Sequence, residues 1–151
     1  MLGEKKNSFD KSKLDWFFVI AWMTLIFIFS AQPATESAAM SGQILQAVQA
    51  MIQRILPGRD FDPGWVHFLI RKGAHLFVYA VLGVLTMRAL IKSGHFTKHA
   101  WFTAFLICIL YAAGDEWHQI YVPGRAGQIT DVMVDGFGSM GGIFLVLSRN
   151  R

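Results

Sequence analysis

Trp16 to Ala31 reads WFFVIAWMTLIFIFSA, a run without a single charge. A bilayer-spanning helix needs roughly 20 mainly apolar residues, with about 17 as a lower limit. Leu14 and Gln32 at its flanks bring this block to that length. Three more blocks follow: GAHLFVYAVLGVLTM, which extends outward through Trp65, then AWFTAFLICILYAAG, then VMVDGFGSMGGIFLVL. Only 16% of the 151 residues are charged, against about 25% in soluble proteins, so the blocks are too apolar for soluble amphipathic helices. The expected fold is all-α: one domain over residues 1–151, a polytopic membrane protein built as a four-transmembrane-helix bundle. Its spans fall at about 14–32, 65–91, 99–121 and 128–147.

The first block could be read as a signal peptide behind Lys5, Lys6, Lys11 and Lys13, with a cleavage-like site at Ser37–Ala39. Its apolar core exceeds the usual 7–15 residues of such a segment, which favours a span. The lysine cluster, together with Arg88, Lys92, Lys98, Arg149 and Arg151, outweighs Arg54, Arg59, Arg71, Lys72 and Arg125 on the other side. Both termini are therefore expected in the cytoplasm. The net charge of +4 is explained by these helix-end residues, so no nucleic-acid partner is expected. Cys108 is alone, which excludes a disulfide, and its mid-helix position marks it as a packing residue.

Between the first two spans, SGQILQAVQAMIQRILPGR sets Ile44, Leu45, Val48, Met51, Ile52, Ile55 and Leu56 opposite a row of glutamines. That spacing predicts an extra amphipathic helix at about 41–56 in the first outer loop, lying in the interface or covering the bundle, ended by Pro57 and Gly58.

The ionisable residues inside the apolar blocks are the informative ones. At 100° per residue, Lys72, His75, Tyr79 and Gly83 share one face of the second span. Tyr111, Asp115 and Gln119 form a stripe on the third, with Glu116 at its shoulder. Asp131, Asp135, Gly138 and Gly142 align on the fourth, where small residues a turn apart permit close helix approach. In the expected topology all of these groups, with Ser30 and Gln32 closing the first span, lie toward the outer leaflet. Arg71 is expected to snorkel outward. An ionisable group at a helix centre costs about 2.5–3.5 kcal/mol on insertion scales, so the carboxylates must be paired, hydrated or engaged with a ligand.

The residue types suggest what that ligand is. Lys72 and Arg125 suit the oxygens of an anion, the alternative for Lys72 being a structural bridge to one of the carboxylates. Closely placed carboxylates cannot all ionise cheaply, so either one of them is protonated or a divalent cation bridges them, with Glu116, Asp131 and Asp135 as candidate ligands. His75 and Glu116 are the candidate acid–base groups. The chain has no His-Glu-x-x-His and no Gly-x-Ser-x-Gly, so no standard catalytic pattern assigns a reaction.

The segments IFSAQP, RKGAHLFVYAVLG and DEWHQIYVPGRAGQITDVMVDGFGSMGG resemble the VanZ-like family of small bacterial membrane proteins, over Leu14 to about Val146. The family pattern carries onto Ser30, Gln32, Lys72, His75, Tyr79, Gly83, Glu116, Gln119, Arg125, Asp131 and Gly138, while Asp135 is a position where the family also uses Asn. The family is named for glycopeptide resistance, chiefly to teicoplanin. The resemblance implies a multi-pass protein of the bacterial cytoplasmic membrane in a cell-envelope setting, and supplies no reaction.

The reading that combines these observations is an outer-leaflet polar site for an anionic or amphiphilic envelope ligand. A polyprenyl-phosphate-type lipid, a lipid-linked precursor or a lipoglycopeptide would suit it, with membrane lipids around it. Its expected residues are Ser30, Gln32, Lys72, His75, Tyr79, Asp115, Glu116, Gln119, Arg125, Asp131 and Asp135. The alternative is an intramembrane hydrolase or transferase acting on a lipid-linked phosphate or sugar. A proton-coupled transporter is the weaker alternative, because the inner halves offer only Thr24, Thr86, Thr103, Ser139 and Ser148 for a proton path.

Overall fold

A computed structural model describes residues 2–55, 62–95 and 97–149 of the chain. Among these the regular structure is entirely helical: α1 (Leu2–Ser30), α2 (Ala34–Ile55), α3 (Pro63–Lys92), α4 (Thr97–Gln119) and α5 (Ile129–Arg149). Local chemistry sets several boundaries. Asp62 caps α3 by accepting a hydrogen bond from the Gly64 N–H at 2.9 Å, with proline in the first turn where its missing N–H costs nothing. Ser93 and Gly94, the latter at φ 86°, turn the chain out of α3. Pro57 and Gly58, expected to end the helix before it, lie outside the described residues, as does Leu56.

Three segments are long and apolar enough to cross a membrane: Ser12–Ser30, Gly64–Lys92 and Ile129–Arg149. The expected fourth, α4, is not among them. Its apolar run closes on Asp115 and Glu116, which lower its mean hydropathy. All the long helices carry large apolar side chains on their outer surface, among them Phe17, Phe77, Leu110 and Phe144. Apolar surface of that extent is what a lipid-facing helix presents.

The inside of the bundle is thin. Val19 and Ile26 of α1 pack with Tyr79, Leu82 and Ala89 of α3 and with Cys108 and Ala112 of α4. A second cluster joins Met87 and Leu90 to Ala100 and Ala104 and to Ile143 and Val146 of α5. Cys108 is fully buried, as a packing residue should be. Polar tethers reinforce the packing: the Tyr111 hydroxyl donates to the Met23 carbonyl at 2.6 Å, and the Trp22 indole N–H to the Val78 carbonyl at 2.9 Å.

The tightest pair is α3 with α5, and glycine is the reason. A Cβ added to Gly83 would overlap the Ser139 backbone, one on Gly138 would overlap the Leu76 carbonyl, and one on Gly142 the Ala80 carbonyl. The helix backbones therefore touch along this seam, which requires residues without side chains on the contact face. At one end of the bundle Lys92 bridges to Asp15 at 2.5 Å, and the Trp16 indole and the Ser12 hydroxyl meet the Ser93 hydroxyl at 3.0 and 2.8 Å. The opposite end holds the start of α3 and α5, the end of α1 and α4, and part of α2.

A test of the seam compares two neighbouring glycines of α5. Gly142→Ala should lower stability by about 1–3 kcal/mol because the helices must separate. Gly141→Ala, with nothing within 4 Å of the added methyl, should be neutral or stabilising by up to about 1 kcal/mol. Thermal unfolding of both variants in one detergent measures the difference.

Candidate functional site

Four carboxylates gather at the end of the bundle opposite the Asp15–Lys92 pair: Asp115 and Glu116 from α4, Asp131 and Asp135 from α5. All are at most 6% exposed, with Asp131 and Asp135 fully enclosed. The helical period puts Asp131 and Asp135 one turn apart on the face that the glycine seam presses onto α3. There they meet Arg71, Lys72 and His75. Burying such groups is tolerable only when each finds a compensating partner.

Asp131 is compensated twice. Its Oδ1 takes the Lys72 ammonium and its Oδ2 lies 3.4 Å from the Arg71 guanidinium. Arg71 therefore does not simply snorkel, as the sequence suggested; it is half of a clamp on a buried acid. Lys72, expected to be available to an anion, is committed to that acid and does not line the cavity described below.

The other three acids are less completely matched. His75 Nδ1 stands 3.2 Å from Asp135 Oδ1. The Gln119 side-chain amide donates to Asp115 Oδ2 at 3.3 Å. Glu116 Oε2 accepts the backbone N–H of Gln128 at 2.8 Å, which ties the end of α4 to the residue that opens α5. Gly127 fits beneath this link because a Cβ there would overlap the Glu116 carbonyl. Each of these acids keeps a second oxygen that is buried without a hydrogen-bond partner among the described residues: Asp115 Oδ1, Glu116 Oε1 and Asp135 Oδ2. The Tyr79 hydroxyl and Gln119 Oε1 are in the same condition.

A cavity of about 270 Å³ opens beside this cluster. Leu25, Ile26 and Phe29 of α1, Ile44 of α2, and Ile70 and Val78 of α3 form its apolar wall. Its polar lining comes from Ser30, Gln32, Ser37, Arg71, His75, Tyr79, Asp115, Gln119 and Arg125. Arg125 enters from the turn after α4, where Gly124 adopts φ 74°, and its guanidinium donates to the Phe29 carbonyl at 3.3 Å. Burial, and secondarily the charge of Arg71, lowers its pKa from the ordinary arginine value. The backbone of the same turn holds α2 in place, the Ala34 N–H donating to the Pro123 carbonyl at 3.2 Å.

Of the site residues expected from the sequence, Ser30, Gln32, His75, Tyr79, Asp115, Gln119 and Arg125 line the cavity. Lys72, Glu116, Asp131 and Asp135 stand outside its lining. Ser139 is fully buried and donates to the Asp135 carbonyl at 2.8 Å, and His118 packs on the Phe27 ring at 4.7 Å. Arg71 and Ser37 are the polar cavity residues that sequence reasoning passed over, and Arg71 is the charged one. Its position next to Lys72 on the helix gave no sign that both would reach the same aspartate.

The clamp gives a graded prediction. Asp131→Asn leaves Lys72 facing a neutral group, and should cost about 3–4 kcal/mol, the lower part of the buried-pair range because Lys72 keeps some access to solvent. Arg71→Gln should cost under about 1 kcal/mol, since its side chain is 41% exposed. Chemical denaturation of the purified variants would show whether that order holds.

Comparison with curated proteins and with solved structures returned no match. A family model described as VanZ/LLP1 matches residues 15–149, from the base of the first apolar helix to the last residue of α5. On that match over nearly its whole length, the chain belongs to the VanZ/LLP1 family.

Proposed function

We propose that the chain is a four-span bacterial membrane protein whose cavity binds an anionic amphiphile of the cell envelope at the extracytoplasmic side. One observation carries the reading. The cavity has an apolar wall from three helices and two arginines, Arg71 and Arg125, at its polar side. Such a lining suits a molecule with a hydrocarbon part and an anionic head. Its volume of about 270 Å³ matches a headgroup with the first part of a chain, the remaining tail staying among lipids. Polyprenyl phosphates and lipid-linked precursors are of this kind. A lipoglycopeptide such as teicoplanin falls in the same class, which would connect the site with glycopeptide resistance.

In this reading α4 crosses with the other three helices, its polar last turn reaching the outer interface. The chain is then a single transmembrane domain with both termini in the cytoplasm. α2 acts as an amphipathic helix on the outer surface. Ile44, Met51 and Ile55 are left exposed, as they would be against lipid headgroups and upper acyl chains, while Ser37 and Ile44 also close one side of the cavity. Reporter fusions test the topology: a C-terminal fluorescent protein should mature and a C-terminal periplasmic phosphatase stay inactive, and the opposite pattern rejects it.

A second reading, an intramembrane hydrolase or transferase on a lipid-linked phosphate or sugar, draws on the His75–Asp135 contact at 3.2 Å, because His75 also lines the cavity. An aspartate-oriented histidine beside a bound ester is a general base in position.

Binding of undecaprenyl phosphate and of the neutral undecaprenol, compared by native mass spectrometry, separates these readings. The phosphate should bind at least about tenfold more tightly, and Arg125→Gln should remove most of that preference while the protein remains in the membrane. Equal binding of the two lipids rejects the anion reading. Release of a dephosphorylated or transferred product identifies an enzyme.

A further inference from the structure

Lys72 and Arg71 are both taken by Asp131, and the Arg125 guanidinium donates to a backbone carbonyl. Among the described residues no lysine or arginine lies in ion-pair contact with Glu116 or Asp135. Among the described residues His75 is the basic side chain in contact with Asp135, while Arg125 acts on Glu116 only at longer range, and one imidazolium in contact cannot balance two buried carboxylates. Either a proton or a further cation compensates these acids, and the atoms they leave over mark where a cation would sit.

One donor atom each from His75, Glu116 and Asp135 lies within 4.8 Å of the other two. The three come from three helices, α3, α4 and α5. Glu116 is 4% and Asp135 0% exposed, and each has one oxygen with a hydrogen-bond partner and one with none. Metal–donor bonds of about 2.0–2.2 Å hold neighbouring donors about 3–3.5 Å apart, so side-chain rotations on the order of 1 Å would close the set.

We propose that His75, Glu116 and Asp135 bind a divalent first-row transition metal, one of the manganese–zinc class. One imidazole nitrogen with two carboxylate oxygens is a donor set for such an ion, whereas calcium and magnesium favour oxygen alone. The charge of the ion neutralises both acids. The Gln128 N–H on Glu116 Oε2 fixes that carboxylate from behind, as outer hydrogen bonds orient ligands in metal sites. The seam of Gly138 and Gly142 holds the α5 backbone against α3, where Asp135 meets His75. Three protein ligands leave coordination positions for water or a further ligand. Because His75 also lines the cavity, the ion stands at its edge. The site differs from the all-carboxylate set expected from the sequence, since Asp131 has its own cations. It does not depend on what the cavity binds.

The test uses tag-free full-length protein, stripped with a chelator in detergent and titrated with Mn²⁺ while the free aqueous ion is followed by electron paramagnetic resonance. One bound Mn²⁺ per chain, displaced by Zn²⁺, is expected. Glu116→Gln and Asp135→Asn should each weaken it by about tenfold or more. Wild-type protein that takes up no Mn²⁺ or Zn²⁺ overturns the proposal, and so do variants that bind as the wild type does. Electron spin-echo spectra of the Mn²⁺-loaded wild type need no variant to fold. Coupling to a single imidazole nitrogen is expected, and bound Mn²⁺ without nitrogen coupling contradicts the site. A metal-free result alongside selective binding of undecaprenyl phosphate would remove the metal and leave the ligand reading intact.

Discussion

The cost of a buried carboxylate governs this molecule. Asp115, Glu116, Asp131 and Asp135 are nearly or wholly enclosed at one end of an otherwise apolar bundle. Each would be expensive if it stood alone in such a medium. The compensation is unequal. Asp131 takes two cations, Asp135 a histidine, Glu116 a backbone N–H and Asp115 a single amide. The residual unpaired oxygens are concentrated on the three acids that lack a permanent cation. That inequality separates a structural clamp from a region poised to accept something.

Close backbone approach makes the arrangement achievable. Gly83, Gly138 and Gly142 remove the side-chain layer that normally separates helices, so α3 and α5 touch over their middle turns. With the axes so near, short side chains span the gap: an aspartate on α5 reaches a histidine on α3, and another reaches two consecutive basic residues. Longer acids or a wider separation would bring water or lipid between them. The turn after α4 does comparable work for the cavity. Gly124 redirects the chain, Arg125 returns to the end of α1, and Pro123 tethers the first residue of α2. One short segment thus brings α1 and α2 to the end of α4 at the same opening.

The period of the helix made much of this legible. Stripes such as Lys72–His75–Tyr79 and Asp131–Asp135–Gly138–Gly142 follow from 100° per residue, and the glycines announce close packing. That the acids of the fourth span would meet the polar stripe of the second was legible too; which acid takes which base was not, because it depends on the register of one helix against another, which a single sequence does not encode locally. Arg71 illustrates this. A long basic side chain near a helix end ordinarily reaches outward, and only the position of Asp131 across the seam turns it inward. Asp15 was overlooked for a related reason. It stands beside N-terminal lysines in the sequence, yet it meets Lys92 across the opposite end of the bundle. The start of α2 at Ala34, earlier than expected, follows Pro33, whose carbonyl accepts the Glu36 and Ser37 N–H groups, and is anchored by a carbonyl far along the chain at Pro123.

The most direct measurement of whether the cavity holds an anionic amphiphile is quantitative mass spectrometry of the lipids that remain with the protein after gentle detergent extraction. One phosphate-bearing, long-chain species should be enriched strongly over its share of the surrounding membrane and retained near one molecule per chain. A co-purifying lipid profile indistinguishable from that of the bulk membrane would contradict the reading.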